Sequence, residues 1–407
     1  MASPSAKVAI IGAGLSGLTL ALALHQQNIS STIYESRSAL FNIGGAVMLS
    51  PNALKVLNSL GVYERIRTKG FNFEYLEYKD SATGEVTERQ EFGSEEKYGY
   101  KGLRIYRYVL VDELDAMLKE RGIKIEFNKK FSKIVKETDQ SVEWEFTDGM
   151  TSSASVLVGA DGIHSTVRRY LYPDLTPKFT GMAGITAAVP TAQLKLPPGY
   201  HIPVTFTSEK GAFVIAPQQV DGSEVLLGKQ LRLEDRDKAG WDSLLAGKED
   251  LVKFLQSNNE LFPEIAQNAT SNIPHDKINV WPFYVVPKLD KWTSQKRRVV
   301  MLGDAAHAIP PSAGQGINQA FEDVYIFALL VGKGQGGKVN PQEALKFWQE
   351  YRQERIEGVM RLNKQIDLRR IPKKEGEQTE GEEQPIELGW LYEPDFERDV
   401  DDWVAKQ

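Results

Sequence analysis

Three glycine-bearing stretches carry residue types whose spacing implies chemistry. The first is Gly12-Ala13-Gly14-Leu15-Ser16-Gly17. It follows a β-branched run at 7–11 and opens the Leu/Ala-rich stretch 15–27. In that setting the glycines permit a tight turn, close approach of a pyrophosphate, and close helix–strand packing. The helix start then offers free N–H groups and a positive dipole end to the phosphates. Glu35 ends the next strand-like run, 31–35, where it can accept hydrogen bonds from ribose hydroxyls. A dinucleotide site is the reading this order favours over an ordinary Gly-containing βα turn.

The second stretch is Gly159-Ala160-Asp161-Gly162-Ile163-His164-Ser165-Thr166-Val167-Arg168, at the end of the apolar run 155–158. Open α/β sheets bind ligands at such carboxyl ends. A turn with Asp161 as a helix N-cap is the competing reading. The third is Gly303-Asp304-Ala305-Ala306-His307, then Pro310-Pro311-Ser312-Ala313-Gly314-Gln315-Gly316-Ile317-Asn318, then Glu322-Asp323. The run 298–302 delivers Asp304. The proline-glycine loop is stiff and can meet a ligand by its backbone. The helix from about 317 turns its positive end to that loop and so favours an anion.

Other chemistries are excluded. The 407 residues contain no Cys. That removes thiol catalysis, disulfides, Cys-ligated metals and any cysteinyl-linked cofactor. The five His (25, 164, 201, 275, 307) include no i, i+3 or i, i+4 pair, so a helical metal site is not expected. His307 reads as structural, and His201 and His275 as surface or core groups. A net charge of −6 argues against nucleic acid as the main partner. The acid is concentrated: residues 373–407 hold four Lys/Arg and twelve Asp/Glu, leaving the rest nearly neutral.

The elements that must position these motifs follow from pattern and punctuation. Length alone implies two to three domains. Strand, glycine turn, helix and strand at 7–35 start a parallel α/β sheet. Helices are expected at 52–60, 109–120, 241–257, 317–331 and 347–370. Strands are expected at 73–79, 85–92, 124–127, 133–137, 141–146 and 155–158. From 176 to 292 prolines recur between alternating runs (200–207, 211–216, 225–232), which reads as a mostly antiparallel second domain. The expected division is 1–71, 101–175 and 293–372 for the nucleotide domain, 72–100 and 176–292 for the second domain, and 373–407 as an acidic linker plus a docking segment. Trp390, Tyr392 and Trp403 are the anchors of that segment. The glycine run 332–337 follows a helix, so it reads as a C-cap and loop instead of a phosphate loop. No signal peptide or membrane span is apparent, and a cytoplasmic protein is the default.

Together the three motifs resemble the class A FAD-dependent aromatic hydroxylases, the salicylate-hydroxylase-like flavoprotein monooxygenases, over about residues 7–370. Tyr106-Arg107-Tyr108-Val109-Leu110 resembles the family's segment with a FAD-contacting Arg, and Gly44-Gly45-Ala46 its second glycine stretch. The resemblance implies an α/β fold: a Rossmann-like FAD-binding domain with a parallel sheet, plus a mostly antiparallel substrate domain. It implies FAD bound by Gly12, Gly14, Gly17, Glu35, Arg37, Gly45, Arg107, Asp161, Arg168 and Asp304. Gly314, Gln315, Gly316, Ile317 and Asn318 would face the flavin ring, and Pro310 the substrate. It implies NAD(P)H and O2 as co-substrates and oxygen transfer through a flavin C4a-hydroperoxide. The substrate would be a small aromatic or polycyclic molecule, and the protein a monomer or homodimer. Ile317 departs from the Ala expected there. Pocket candidates are Phe206, Phe213, Trp281, Phe283 and Tyr284, each with an ordinary sheet-core reading beside it. No catalytic base follows from the motifs. Epoxidation or indole oxygenation on the same scaffold stays open, as does a flavoprotein without oxygenation.

Overall fold

The computed structural model describes residues 8–40, 45–335, 339–370 and 387–407. Its centre is a five-stranded, all-parallel sheet. The order is Val299–Met301, Val156–Gly159, Val8–Ile11, Ser31–Tyr34, Lys124–Glu126. Val299–Met301, Val156–Gly159 and Val8–Ile11 are short, apolar and almost wholly buried, as parallel strands covered on both faces must be, whereas the edge strand Lys124–Glu126 is charged and partly exposed. The helix Leu15–Gln26 is apolar nearly all round, because it lies between this sheet and the helices Arg107–Glu120 and Gly316–Gly334.

A seven-stranded sheet forms a second layer. Its order is Asn279–Val285, Lys178–Pro190, Glu224–Arg232, Gly211–Pro217, Val204–Ser208, Tyr75–Asp80, Val86–Glu91. All neighbours pair antiparallel except Val204–Ser208 with Tyr75–Asp80. Two three-stranded antiparallel sheets complete the fold. One joins Ala46–Leu49, Gly102–Tyr106 and Phe71–Phe73; the other joins Phe131–Glu137, Val142–Phe146 and Thr151–Ala154. A parallel α/β sheet with a largely antiparallel partner is the fold class the sequence implied.

Several elements differ from expectation. The strand expected at 73–79 breaks at Glu74, whose carbonyl accepts the Phe92 and Gly93 amides, and its two halves enter different sheets. The single helix expected at 241–257 is two, Lys238–Ala246 and Lys248–Gln256, divided at Gly247. The longest strand, Lys178–Pro190, was not foreseen. Its composition is poor in strand formers, and it exists because neighbours pair with both edges. The helix read at 347–370 spans Pro341–Arg370. The linker read at 373–385, Gly44, and Gly336 and Gly337 of the late glycine run lie outside the described residues.

The terminal segment does dock. Tyr392 is buried, the Trp403 ring stacks on Phe347 at 4.8 Å, and Trp390, though partly exposed, covers Gly358. Phe396 and Val400 add two buried anchors on the amphipathic helix Phe396–Val404. Phe396→Ala should therefore destabilise the protein by about 3 kcal/mol in urea unfolding, the usual cost of emptying a buried aromatic site.

Candidate active site

The strand order sets the site. Val299–Met301, Val156–Gly159 and Val8–Ile11 are neighbours running in one direction, so their carboxyl ends bring all three motifs together. The contacts are direct. Gly12 has φ +106°, and a Cβ there would stand 2.6 Å from the Ala160 carbonyl oxygen. A Cβ on Gly303 would stand 3.1 Å from Ser16 Oγ.

The glycines divide by what they serve. Gly12 and Gly17 serve the fold; a Cβ on Gly17 would lie 2.0 Å from the Gly12 carbonyl oxygen. Gly14 has φ −77°, open to any residue, and nothing lies within 4 Å of a Cβ built there. Gly316 likewise has nothing within 4 Å. Both stand at starts of long helices that no side chain caps, Leu15–Gln26 and Gly316–Gly334. Free space over uncapped N–H groups is what an anionic ligand requires.

Glu35 is buried beside the first turn. It accepts the Ala13 amide (2.9 Å), the Arg37 amide (2.9 Å) and the Ser36 hydroxyl (3.0 Å). One acceptor position of the usual four is left for a ligand. Arg37 stands exposed, 3.9 Å from the same carboxylate.

Asp304 and Arg107 face each other electrostatically across the third motif. Neither side chain has a hydrogen bond among the described residues. Asp304 is open to solvent yet closely ringed by protein, as a group on a cleft floor is. That crowding pushes its carboxyl above the ordinary range, although His307 and Arg107 pull the other way. Crowding likewise lowers the Arg107 guanidinium, against the pull of Asp304. Gly45 is exposed, with Gln218 Nε2 3.7 Å from its Cβ position.

Other expected residues have different work. Asp161 accepts Ser165 Oγ (2.5 Å) and the Thr166 and Val167 amides (2.7 and 3.1 Å), bonds that close the turn ahead of the helix Arg168–Leu171, whose own N-cap is Val167. Arg168 is buried and donates to the Ala305 and Ile163 carbonyls (3.0 and 2.6 Å), tying the second motif to the third. Gln315 and Asn318 are fully buried. Gln315 donates to Ser50 Oγ (2.9 Å); Asn318 donates to the Met48 and Gly314 carbonyls (3.0 and 2.7 Å) and accepts the Ser50 amide. Only the backbone of this loop is left to meet a ligand, together with half-buried Ile317 and Pro310.

Two pocket candidates are corrected. Phe206 and Phe213 pair across their strands and are buried with Leu251, Leu255 and Phe262 on the helix-covered face of the seven-stranded sheet. They line no cleft. Strand alternation puts half-buried Thr186, Ala188, Val214 and Leu226 on the opposite face. Trp281 and Phe283 share that face, Trp281 largely exposed and Phe283 lying over Gly184. Tyr284 is held outside it by Asp235 and Trp241.

Sequence reasoning missed the support behind the loop. Arg352, fully buried, donates to Glu322 and to Asp323 (2.8 Å), and Arg355 donates to Glu322 (2.6 Å). Asn52 links Glu322 (2.6 Å) to Gln315 (3.4 Å). Asp323 accepts the Gly303 amide (2.8 Å) and meets His307 Nε2 at 2.5 Å. Burial alone would raise both carboxyls. Arg352 and Arg355 reverse that for Glu322, and His307 and Arg352 for Asp323, so both end below the usual range. The only available signal was an acidic pair inside an otherwise apolar helix. Among the described residues no cluster of His, Cys, Asp and Glu has a metal-binding arrangement.

Comparison with known proteins identifies the ligand. The family model described as an FAD binding domain matches residues 5–362. The chain belongs to that family. Within it the curated relatives include 3-amino-4-hydroxybenzoate 2-monooxygenase of Streptomyces cremeus, 29% identical and covering 95% of this chain and 94% of that one. Salicylate hydroxylase of Pseudomonas putida is 26% identical, covering 97% and 94%. A salicylate hydroxylase substrate complex shares the fold with a TM-score of 0.78 at 20% identity, covering 98% of each chain. The chain is thus a member of the flavin-dependent aromatic hydroxylases, and FAD is its cofactor. The residues present fit FAD: open space at Gly14 and Gly316, uncapped helix starts, and the unbonded Asp304 and Arg107.

Gly14→Ala should leave the melting temperature of the FAD-free protein unchanged and weaken FAD binding at least about tenfold; Gly17→Ala should lower the melting temperature itself. Asp304→Asn should reduce FAD occupancy without destabilising the FAD-free fold, because a carboxyl raised above its unfolded value opposes folding at neutral pH. Asp323→Asn should do the reverse. Its carboxyl is depressed in the fold, so its stabilisation is present above the unfolded value near ~4 and is lost as pH falls through the folded one. Acid-unfolding curves of the variant should lie lower at pH 7 and slope less below about pH 4.

Proposed function

We propose that this chain hydroxylates a small aromatic substrate, taking electrons from NAD(P)H and one oxygen atom from O2. The balance is substrate C–H plus O2, NAD(P)H and a proton, giving C–OH, water and NAD(P)+. Bound FAD supplies the redox chemistry, accepting a hydride and, once reduced, activating oxygen. The protein's part is to bind, orient and exclude water.

The observation that carries the reading is a pair of uncapped helix starts, at Gly14 and Gly316, each with nothing within 4 Å of its Cβ position. The first suits a pyrophosphate. The second would place N–H groups and a positive helix end at the flavin ring, where charge gathers on reduction. Arg107 and Asp304 would hold the chain between. Glu35 would take the ribose. Asp161 and Arg168 would act through the loop they hold.

The uncovered face of the seven-stranded sheet would close the site. Thr186, Ala188, Val214 and Leu226 would give it a mostly apolar wall, suited to a planar ring and to keeping water from a reactive oxygen species. Relatives named for benzoate, salicylate and hydroxynicotinate substrates support an aromatic ring as the substrate core. Pro310 and Ile317 would flank it.

The FAD-loaded protein should consume NADH or NADPH in air, and a true substrate should speed that consumption at least about tenfold. The product should gain one oxygen atom from labelled O2. Accelerated NAD(P)H consumption yielding only hydrogen peroxide with every aromatic tried would overturn the reading.

A further inference from the structure

Met48 lies on the strand Ala46–Leu49, whose side chains alternate between two bodies of apolar residues. Val47 and Leu49 join the core of the parallel domain. Met48 takes the other face, is half-buried, and packs on Phe73, Leu76 and Phe92.

Three contacts set it beside the proline-glycine loop. Its Cβ is 3.9 Å from the Cβ position of Gly314. Its carbonyl accepts Asn318 Nδ2 at 3.0 Å, and the same amide donates to the Gly314 carbonyl at 2.7 Å. The Phe92 ring, on which its side chain packs, stands 3.6 Å from the Gly314 Cβ position. The Met48 sulfur is two bonds beyond Cβ, so an oxidisable thioether borders the segment proposed to meet the flavin ring.

The other described methionines are placed differently. Met117, Met182 and Met301 are buried, whereas Met150 and Met360 are 57% and 41% exposed. An oxidant free in solution should therefore reach Met150 and Met360 before half-buried Met48. Oxygen activated at the ring meets Met48 first.

We propose that Met48 is a self-oxygenation site: when the FAD-loaded protein turns over without substrate, its thioether takes the oxygen atom and becomes the sulfoxide, which arrests the site. The balance is thioether plus O2, NAD(P)H and a proton, giving sulfoxide, water and NAD(P)+. NAD(P)H supplies two electrons and sulfur two. The O–O bond breaks, one atom bonds to sulfur, and the other leaves as water. Arrest follows from the surroundings. A sulfoxide oxygen is a polar acceptor, and the side chains of Phe73, Leu76 and Phe92 carry no donor for it. Accommodating it displaces the ring that lies against Gly314. This rests on the hydroxylase reading of the same site.

The FAD-loaded full chain is idled with NADPH or NADH under isotopically labelled O2, with catalase present, and its peptide masses are measured. Met48 sulfoxide should form at least about tenfold faster than Met150 or Met360 sulfoxide and should carry the label. Hydrogen peroxide added without NAD(P)H should give the opposite order. In Met48→Leu, a volume-conserving change, NAD(P)H consumption should decay at least about threefold more slowly during idling. Met48 that stays unmodified, or that loses its lead when catalase is added, would overturn the proposal. So would decay of Met48→Leu at the wild-type rate. Any of these beside labelled oxygen in an aromatic product would leave the hydroxylase reading standing. Label in neither Met48 nor any aromatic product would end both. If Met48→Leu fails to hold FAD, the wild-type peptide masses decide.

Discussion

Three strands drawn from widely separated parts of the chain lie side by side in one parallel sheet, and everything at the site depends on that adjacency. Parallel strands all end on the same edge. Val8–Ile11, Val156–Gly159 and Val299–Met301 therefore bring Gly12 against Ala160 and Gly303 against Ser16. Each turn is locally ordinary. Together they leave two uncapped helix starts with free space at Gly14 and Gly316, and an acid and a base, Asp304 and Arg107, without a side-chain hydrogen bond among the described residues.

A buried set of ions fixes the proline-glycine loop. Arg352 and Arg355 hold Glu322 and Asp323, and Asn52 passes the linkage on to Gln315. From the other side Asn363 accepts the Ala313 amide at 2.8 Å, and Arg370 donates to the Ser312 carbonyl at 3.2 Å. The terminal segment joins this support: Arg355 also donates to the Trp390 and Leu391 carbonyls, and Leu388 and Leu391 pack with Ala313. Such ion sets need not add stability over an apolar core, but they admit few alternative geometries. A loop that must present its backbone to a flat ring gains from that restriction.

Much of this was legible in the residues, and the pattern of misses has physical causes. The motifs are local, so their glycines, flanking strands and helices could be read directly. So could the terminal anchors. The strand Lys178–Pro190 was not legible, because its stability comes from two neighbours and not from its own composition. Phe206 and Phe213 alternate correctly for one face, but which face is covered depends on the helices Lys248–Gln256 and Glu264–Ala269, far along the chain. Asp161 carried two readings in the sequence, ligand and helix N-cap; its hydrogen bonds close the turn 161–167, and the helix after it begins only at Arg168 with Val167 as its N-cap. The partners of Glu322 lie 30 and 33 residues away, and only the tertiary packing pairs them.

The central claim is that the place where the three motifs meet is the FAD site, with Gly14 under the pyrophosphate and Gly316 at the flavin ring. A crystal structure of the chain with FAD tests it most directly. The account predicts pyrophosphate oxygens over the helix start at Gly14, the adenosine ribose at Glu35, the flavin ring against the Gly314–Gly316 backbone, and Asp304 and Arg107 bonded to the cofactor. FAD density elsewhere on the molecule, or a ring directed away from that loop with Asp304 and Arg107 still unbonded, would contradict it.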